Sequence, residues 1–276
     1  MGGYTRAALT LPAYTTPPGL AVATIGRRQV VVVVVDGVLL TLDAAMGRVA
    51  TRTQLDVQAL GWPAAVVAPS AGRVYLAGQP RDAYAAVIEA LTLDSPNGDD
   101  RGSGPRVLWR AQLGLTHAGI WIGRANANRL AVYLPNAYDS SGTVEILDER
   151  HGAVQGAYTL PAPPLAEDAT VNRIFVQVGA TLRAFTLDGG RPVAGISATG
   201  PVAVDSTRGL IAFVNGGKLV LATTRALVPV GRVAVSGVTA LAATLDGAAF
   251  IVGRRGGLSQ LAFSACAARS HYYRSK

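Results

Sequence analysis

Few side chains in this sequence stand where they could do chemistry together. The nitrogen and sulfur ligands are His117, His151, His271 and the lone cysteine Cys266. A structural zinc site takes four such ligands, commonly in closely spaced pairs. These four are scattered, so no such site is expected. A Ser/His/Asp triad stays open on spacing alone, because its members can be remote in sequence. No Gly-x-Ser-x-Gly elbow occurs, and Arg101-Gly102-Ser103-Gly104 reads as a flexible hairpin tip, without the strand and helix an elbow requires. Gly253-Arg254-Arg255-Gly256-Gly257 is the most basic loop, but no Lys-Ser/Thr follows it as in a phosphate-cradling loop. Two arginines between glycines could clamp a phosphate or carboxylate. The competing reading is a hairpin tip.

Those arginines belong to a wider asymmetry. The chain has 276 residues and a net charge of +8. Residues 206–276 hold nine basic side chains and one acid, Asp246, while the first 205 residues are balanced. The excess points to an anionic partner, with Arg225, Arg232, Arg254 and Arg255 as candidate contacts. Nucleic acid is a less favoured partner, served by the same arginines with Arg208, Arg269 and Arg274, and with Tyr272 and Tyr273 stacking. The plainer reading is a solvated rim and a basic tail. Half the residues are hydrophobic and 15% are charged, which excludes a disordered chain. Met1-Gly2-Gly3-Tyr4-Thr5-Arg6 does not read as an export signal. An upstream signal would place the chain outside the cytoplasm. The longest apolar run, Val30 to Val35, falls far short of the roughly 20 residues a spanning helix needs. Its β-branched side chains predict a buried strand.

That run opens a series. Mostly apolar runs recur at Gln29–Val35, Arg73–Gly78, Arg129–Leu134, Arg173–Val178, Leu210–Val214 and Ala248–Gly253, with starts 44, 56, 44, 37 and 38 residues apart. Turns rich in Gly, Asn, Ser and Asp precede them, such as Asn126-Ala127-Asn128 and Asp205 to Gly209. A shorter element precedes each turn: Gly19–Thr24, Ala64–Pro69, Gly119–Gly123, Leu165–Thr170, Pro201–Asp205 and Thr239–Leu245. After each run comes another strand. Four of these end in Leu-Asp, at Leu42-Asp43, Leu93-Asp94, Leu147-Asp148 and Leu187-Asp188, with a glycine close behind. Asp caps the reversal and Gly supplies positive φ, so each pair predicts a hairpin. Helical periodicity is absent.

Four strands recurring every ~40 residues are the signature of a β-propeller. The expectation is a single all-β domain of six four-stranded blades, with units at 19–56, 57–113, 114–160, 161–197, 198–236 and 237–276. Residues 5–11 have no unit of their own. They are expected to close the ring beside Leu258–Phe263, because an open ring would leave bare strand edges. The second unit carries the largest insertions, Gln79–Ala83 and Ser95–Pro105.

The stretch Thr41-Leu42-Asp43-Ala44-Ala45-Met46-Gly47-Arg48-Val49 resembles the propeller repeat of quinoprotein-like and YVTN/NHL-type bacterial proteins, a WD40-like architecture. There a Thr-Gly pair opens the next strand, often before a Trp. Met46 stands here for the Thr, and only Val107-Leu108-Trp109-Arg110 offers the Trp. The resemblance implies a fold, and none of the quinone-pocket residues can be matched. Lactonase-type propellers of six blades are similar too, and hold a divalent cation on the axis. That resemblance implies Glu167, Asp168, Asp205 and Asp246 as candidate ligands, with Asn126, Asn128 and Asn172 near by. Hard cations take several converging oxygens, so the ion would be Ca2+. Against it, each Asp coincides with a turn that it can cap itself.

The expected function is therefore a non-enzymatic ligand- or protein-binding scaffold that uses one propeller face and its loops, with no cofactor. The alternatives are a lactonase or hydrolase with an axial cation, and a degenerate quinoprotein-like domain that has lost its cofactor.

Overall fold

The computed structural model describes residues 19–25, 28–35, 37–43, 48–58, 65–67, 72–80, 85–93, 105–113, 120–126, 128–243, 249–254 and 257–262. Among them every regular element but one is a strand, and the strands form six antiparallel sheets. Sheet 1 runs β1 (Gly19–Ile25), β2 (Arg28–Val35), β3 (Val38–Asp43), β4 (Val49–Gln54). Sheet 3 runs β10 (Trp121–Asn126), β11 (Arg129–Pro135), β12 (Gly142–Asp148), β13 (Val154–Leu160), with sheet 2 before it in the chain. Sheet 4 is β14 (Pro164–Asp168), β15 (Arg173–Val178), β16 (Thr181–Thr186), β17 (Pro192–Ser197). Sheet 5 is β18 (Val202–Asp205), β19 (Leu210–Asn215), β20 (Lys218–Thr223), β21 (Pro229–Ala234). Each of these four has its strands side by side in chain order, as the repeat predicts.

Two sheets depart from four strands. Sheet 2 holds β5 (Val57–Gln58), β6 (Ala65–Val67), β7 (Arg73–Pro80), β8 (Val87–Thr92) and β9 (Arg106–Gln112), and both β5 and β6 pair with β7. The extra strand has a cause in β7 itself, whose last residues extend past β6. Gln79 and Pro80, expected in an insertion, lie opposite Gln58 and Val57. Val57 is buried, so this lengthened edge covers apolar surface. Sheet 6 has three described strands, β22 (Val238–Ala243), β23 (Ala249–Arg254) and β24 (Gly257–Ala262). Residues 5–11, the expected closing strand, lie outside the described residues. The element that is not a strand is a one-turn 3-10 helix, Ala169–Val171. It cuts short the strand expected to reach Thr170, because Asp168 caps it. No helix of the described residues is long and apolar enough to cross a membrane.

The chain divides into two compact units, Met1–Arg124 with Asn128–Ala157, and Ala125–Ala127 with Tyr158–Lys276. In the first, Val30, Val32, Val34 and Leu39 of sheet 1 pack with Val74, Leu76, Leu91 and Leu93 of sheet 2. The other face of sheet 2 sends Tyr75, Ala77, Ile88 and Ala90 against Ile122, Leu130, Val132 and Leu147 of sheet 3. Strand side chains alternate between faces, so a sheet covered on both sides reads as an unbroken apolar run. The valines of β2 follow that rule, with Val33 joining Leu40 and Leu42 on the second face. In the second unit, Phe175, Leu182 and Ala184 of sheet 4 pack with Ile211, Phe213 and Val220 of sheet 5. The other face of sheet 5 packs Ala212 and Leu219 with Phe250 and Val252 of sheet 6.

The hairpins repeat bond for bond. The residue after the third strand donates its N–H to the last turn residue before the second strand: Leu93 to Gly72 at 2.7 Å, Glu149 to Asn128 at 2.9 Å, Leu187 to Asn172 at 3.3 Å, Thr224 to Gly209 at 2.9 Å. The pairing of third with outer strand slips by one residue in sheets 1, 2, 4 and 5. Each slip leaves an extra residue on the outer strand, namely Ala50, Leu108, Val193 or Val230.

These bonds correct one expectation. The four Leu-Asp pairs do not mark one place. Asp43 and Asp148 are the residues that close the outer hairpin with their own N–H, bonding Arg48 and Ala153 at 2.9 and 2.8 Å. Leu187 instead matches Glu149, and the closing residue in sheet 4 is Thr186, which bonds Arg191 at 2.8 Å. The two settings differ by two residues. Side chains repeat every two residues along a strand, so a leucine in either setting faces the core and the sequence looks the same.

Candidate functional site

The candidate acids fall at the ends of first strands. Asp168 ends β14 and is fully buried, and Asp205 ends β18 and is 3% exposed. Asp168 Oδ1 accepts from the Thr170 N–H at 3.1 Å and from Thr170 Oγ1 at 2.5 Å, which makes it the cap of the 3-10 turn. Asp205 Oδ1 accepts from the Arg208 N–H at 3.2 Å. One oxygen of each carboxylate is therefore spent on its own turn. The other, Oδ2, is buried with no hydrogen-bond partner in both residues. Glu167 is half-buried beside Asp168. Asn172 closes the same turn in the left-handed conformation at φ +57°. Asn126 and Asn128 flank the corresponding turn of sheet 3. Asp246 lies outside the described residues. Among the described residues, no group of three or more His, Cys, Asp and Glu stands together as a metal site.

The candidate arginines are distributed, not gathered. Arg225 is exposed in the turn after β20, where its carbonyl accepts from Arg173 Nε at 2.9 Å. Arg232 is exposed on β21, opposite Val220. Arg225 lies at the end of sheet 5 that carries the β18–β19 turn, whereas Arg254 ends β23 at the hairpin to β24 in sheet 6. Arg255 lies outside the described residues. Arg173 adds a second tie, its Nη1 donating to Val171 O and Asn172 O at 3.2 and 2.9 Å.

Sequence reading missed the most polar part of the interior. Glu149 is 4% exposed. Its Oε1 accepts from Tyr75 Oη at 2.8 Å, with Arg73 Nη1 at 3.9 Å. Its carbonyl accepts from Trp109 Nε1 at 3.0 Å. The Trp109 ring lies 5.9 Å from that of Tyr75, centroid to centroid, at 41°. Burial first, and then the Glu149 carboxylate, push the Tyr75 phenol well above its usual range, so it stays a donor. Nearby, Glu89 is buried and paired by Arg110, whose Nε donates to Oε1 at 2.6 Å and whose Nη2 meets the same oxygen. A signal did exist: Glu149 occupies the slot filled by Leu93 and Leu187 in neighbouring repeats. It becomes visible only once the hairpins are aligned by their bonds.

The Trp109 contact has a counterpart. Gly152 (φ +71°) sits under the Trp109 ring, where a Cβ would come within 2.7 Å of Cε3. In the second unit, Tyr158 donates to Leu187 O at 2.7 Å and its ring covers Gly190. Glu149 and Leu187 are equivalent by their hairpin bonds, and so are Gly152 and Gly190. In sheet 5 the same place holds Leu227 at φ +53°, a buried leucine in a glycine conformation. It packs among Phe175, Ala184 and Ile211 in place of an aromatic ring from outside.

No protein-family model matches the chain, and no curated protein matches it in sequence. Solved structures do resemble it. BamB from Moraxella catarrhalis is 15% identical, with a TM-score of 0.52, over 92% of this chain and 84% of that one. Sqt1 from Saccharomyces cerevisiae is 14% identical, with a TM-score of 0.54, over 91% and 71%. A chain of the mitotic checkpoint complex is 15% identical, with a TM-score of 0.51, over 87% and 73%. These are β-propeller proteins, and the likeness is one of fold: this chain has the β-propeller fold.

Proposed function

We propose that the chain is a six-bladed propeller that works as a non-enzymatic scaffold, binding a protein or anionic ligand through one end of its sheets and their loops. Residues 5–11 complete the sixth blade beside residues 258–263 in this reading. The observation that carries it is the contrast between a bonded frame and what it displays. The hairpin bonds recur from sheet to sheet, and the acids at first-strand ends serve their own turns. Variation is left to the tips and turns, where recognition residues on rigid scaffolds concentrate. The likeness to a chain of the mitotic checkpoint complex supports a protein partner. Arg225, Arg232, Arg254 and Arg255 are the contacts for an anionic one. The test is affinity purification of the tagged chain from its source cells at low and high salt. A partner retained at low salt and lost from the Arg225→Glu/Arg232→Glu chain is expected if the basic sector binds. A partner retained by that variant assigns binding to other loops, and no stoichiometric partner in either condition refutes the scaffold reading.

One observation favours a second reading, a lactonase-type site. Asp168 Oδ2 and Asp205 Oδ2 are buried without partners, and Ca2+ takes such oxygens. On the scaffold reading, the melting temperature is unchanged between excess Ca2+ and a chelator. On the lactonase reading it rises with Ca2+, by mass action, and the rise disappears in Asp168→Asn.

A further inference from the structure

Two hairpin connections are longer than the rest of the repeat, and one of them is described along its whole length. The turn between second and third strands takes two residues in sheets 1, 4, 5 and 6, but six in sheet 2, residues 81–86, and six in sheet 3, Asn136 to Ser141. An exposed, mostly polar tip of this length would ordinarily wave freely. This tip is strapped. Asn136 N–H donates to Ser141 O at 2.8 Å and closes its base. Asn136 Oδ1 accepts from the Tyr138 N–H at 3.2 Å. Asp139 Oδ1 accepts from the Ser141 N–H at 2.7 Å and from Ser141 Oγ at 2.5 Å. From below, the buried Tyr133 donates to Ser140 O at 3.1 Å. Its ring reaches that carbonyl by crossing Gly142, whose missing Cβ would collide with Tyr133 Cζ.

All this order presents one side chain. Tyr138 is 95% exposed, the most exposed large apolar residue among those described. A tyrosine on a pre-ordered backbone loses little freedom on binding, having two side-chain torsions to fix, and buries about 150–250 Å² when covered. Beside it, the bonds from Ser141 hold the Asp139 carboxyl below the usual carboxylate range, so it is charged.

We infer that this tip is a docking finger: Tyr138 enters an apolar cleft of a partner protein, and Asp139 meets a lysine or arginine on the rim of that cleft. The inference rests on the scaffold reading and names its contact. The adjacent fixed negative charge favours a protein cleft with a basic rim over an anionic lipid surface.

The test places the photo-crosslinking residue p-benzoylphenylalanine at position 138, which keeps an aromatic ring there, and at Ala180 and Arg150 as comparison sites. The full-length chain is irradiated in its source cells. The expected result is one protein adduct of defined mass from position 138 and none from Ala180, suppressed by the added change Asp139→Arg. In lysate, unlabelled wild-type chain competes it away, while Tyr138→Ala chain needs about thirtyfold more, as for an interface hot spot. That variant is expected to melt within about 1 °C of wild type, since the ring touches no core. Competition by Tyr138→Ala equal to wild type overturns the inference, as does an adduct indifferent to Asp139→Arg. A lipid adduct at 138 overturns it in favour of a membrane. Adducts at Arg150 alone overturn the finger and leave the scaffold standing. No adduct at any of the three sites overturns the finger and counts against the scaffold.

Discussion

Trp109→Ala is expected to destabilise the protein by about 3 kcal/mol, the lower end of the range for a core aromatic cut to a methyl, because Trp109 is partly buried. Equilibrium urea unfolding would measure it. Two losses combine. The ring leaves Gly152 and the Tyr75 face, and the Glu149 carbonyl loses the indole N–H. Trp109→Phe, which keeps a smaller ring but lacks the N–H, should cost less than Trp109→Ala and more than about 1 kcal/mol, the net worth of one hydrogen bond. The same contact can be broken from the other side. Gly152→Ala forces a Cβ to 2.7 Å from the indole at φ +71°. It should cost about 2–4 kcal/mol, from the left-handed backbone together with overpacking. Gly156→Ala is the control. Gly156 lies in an outer strand with nothing within 4 Å of its would-be Cβ, and it should be neutral or slightly stabilising. Equal losses at positions 152 and 156 would refute the ring-on-glycine account.

The buried Glu149 makes a sharper prediction, because its sign reverses with context. Glu149→Leu installs the residue that equivalent hairpins carry at positions 93 and 187, and should still destabilise, by about 2–3 kcal/mol. It takes from the buried Tyr75 hydroxyl the carboxylate to which it donates, leaving only the Arg73 side chain beside it, and a buried donor without its acceptor costs desolvation. Tyr75→Phe alone should cost about 1.5–3 kcal/mol, since the carboxylate then loses a donor to a charged acceptor. Together the two changes remove both partners of that bond, and Arg73, whose side chain is 40% exposed, keeps access to water. The double variant is expected within about 1 kcal/mol of wild type, as for buried polar pairs replaced by apolar groups. A double-mutant cycle checks this, and simple additivity would mean that the hydrogen bond carries no coupling.

These positions also show what could be read from the sequence. The second strands of the repeat were legible almost residue by residue: the run Arg173–Val178 is the strand Arg173–Val178, and Gln29–Val35 misses its strand by one residue. Coverage on both faces makes such strands continuous apolar words. The shorter first strands were placed less well, as at Gly119–Gly123 against Trp121–Asn126, because two or three small residues carry no periodicity. The pairing of β5 with β7 was invisible, since two residues have no pattern at all. Asp168 and Asp205 were legible as turn residues, and their capping bonds match that reading. Their bare Oδ2 atoms depend on what packs around them, which spacing does not encode. Glu149 in a leucine slot could emerge only after alignment by backbone bonds, because Leu-Asp occurs in two settings that period-two alternation makes alike.

The one-residue slips have a bearing on how the protein keeps company with itself. An outer strand offers a bare ladder of donors and acceptors to any passing copy. Ala50, Leu108, Val193 and Val230 put that ladder out of step near its start, and the added twist bends it away. A second molecule laid alongside would find its rungs mismatched within a few residues. Irregularity written four times over thus acts as a guard against fibre growth. Its removal, by deleting Val193 for instance, would trade a small gain in strand regularity for a sheet edge open to recruitment.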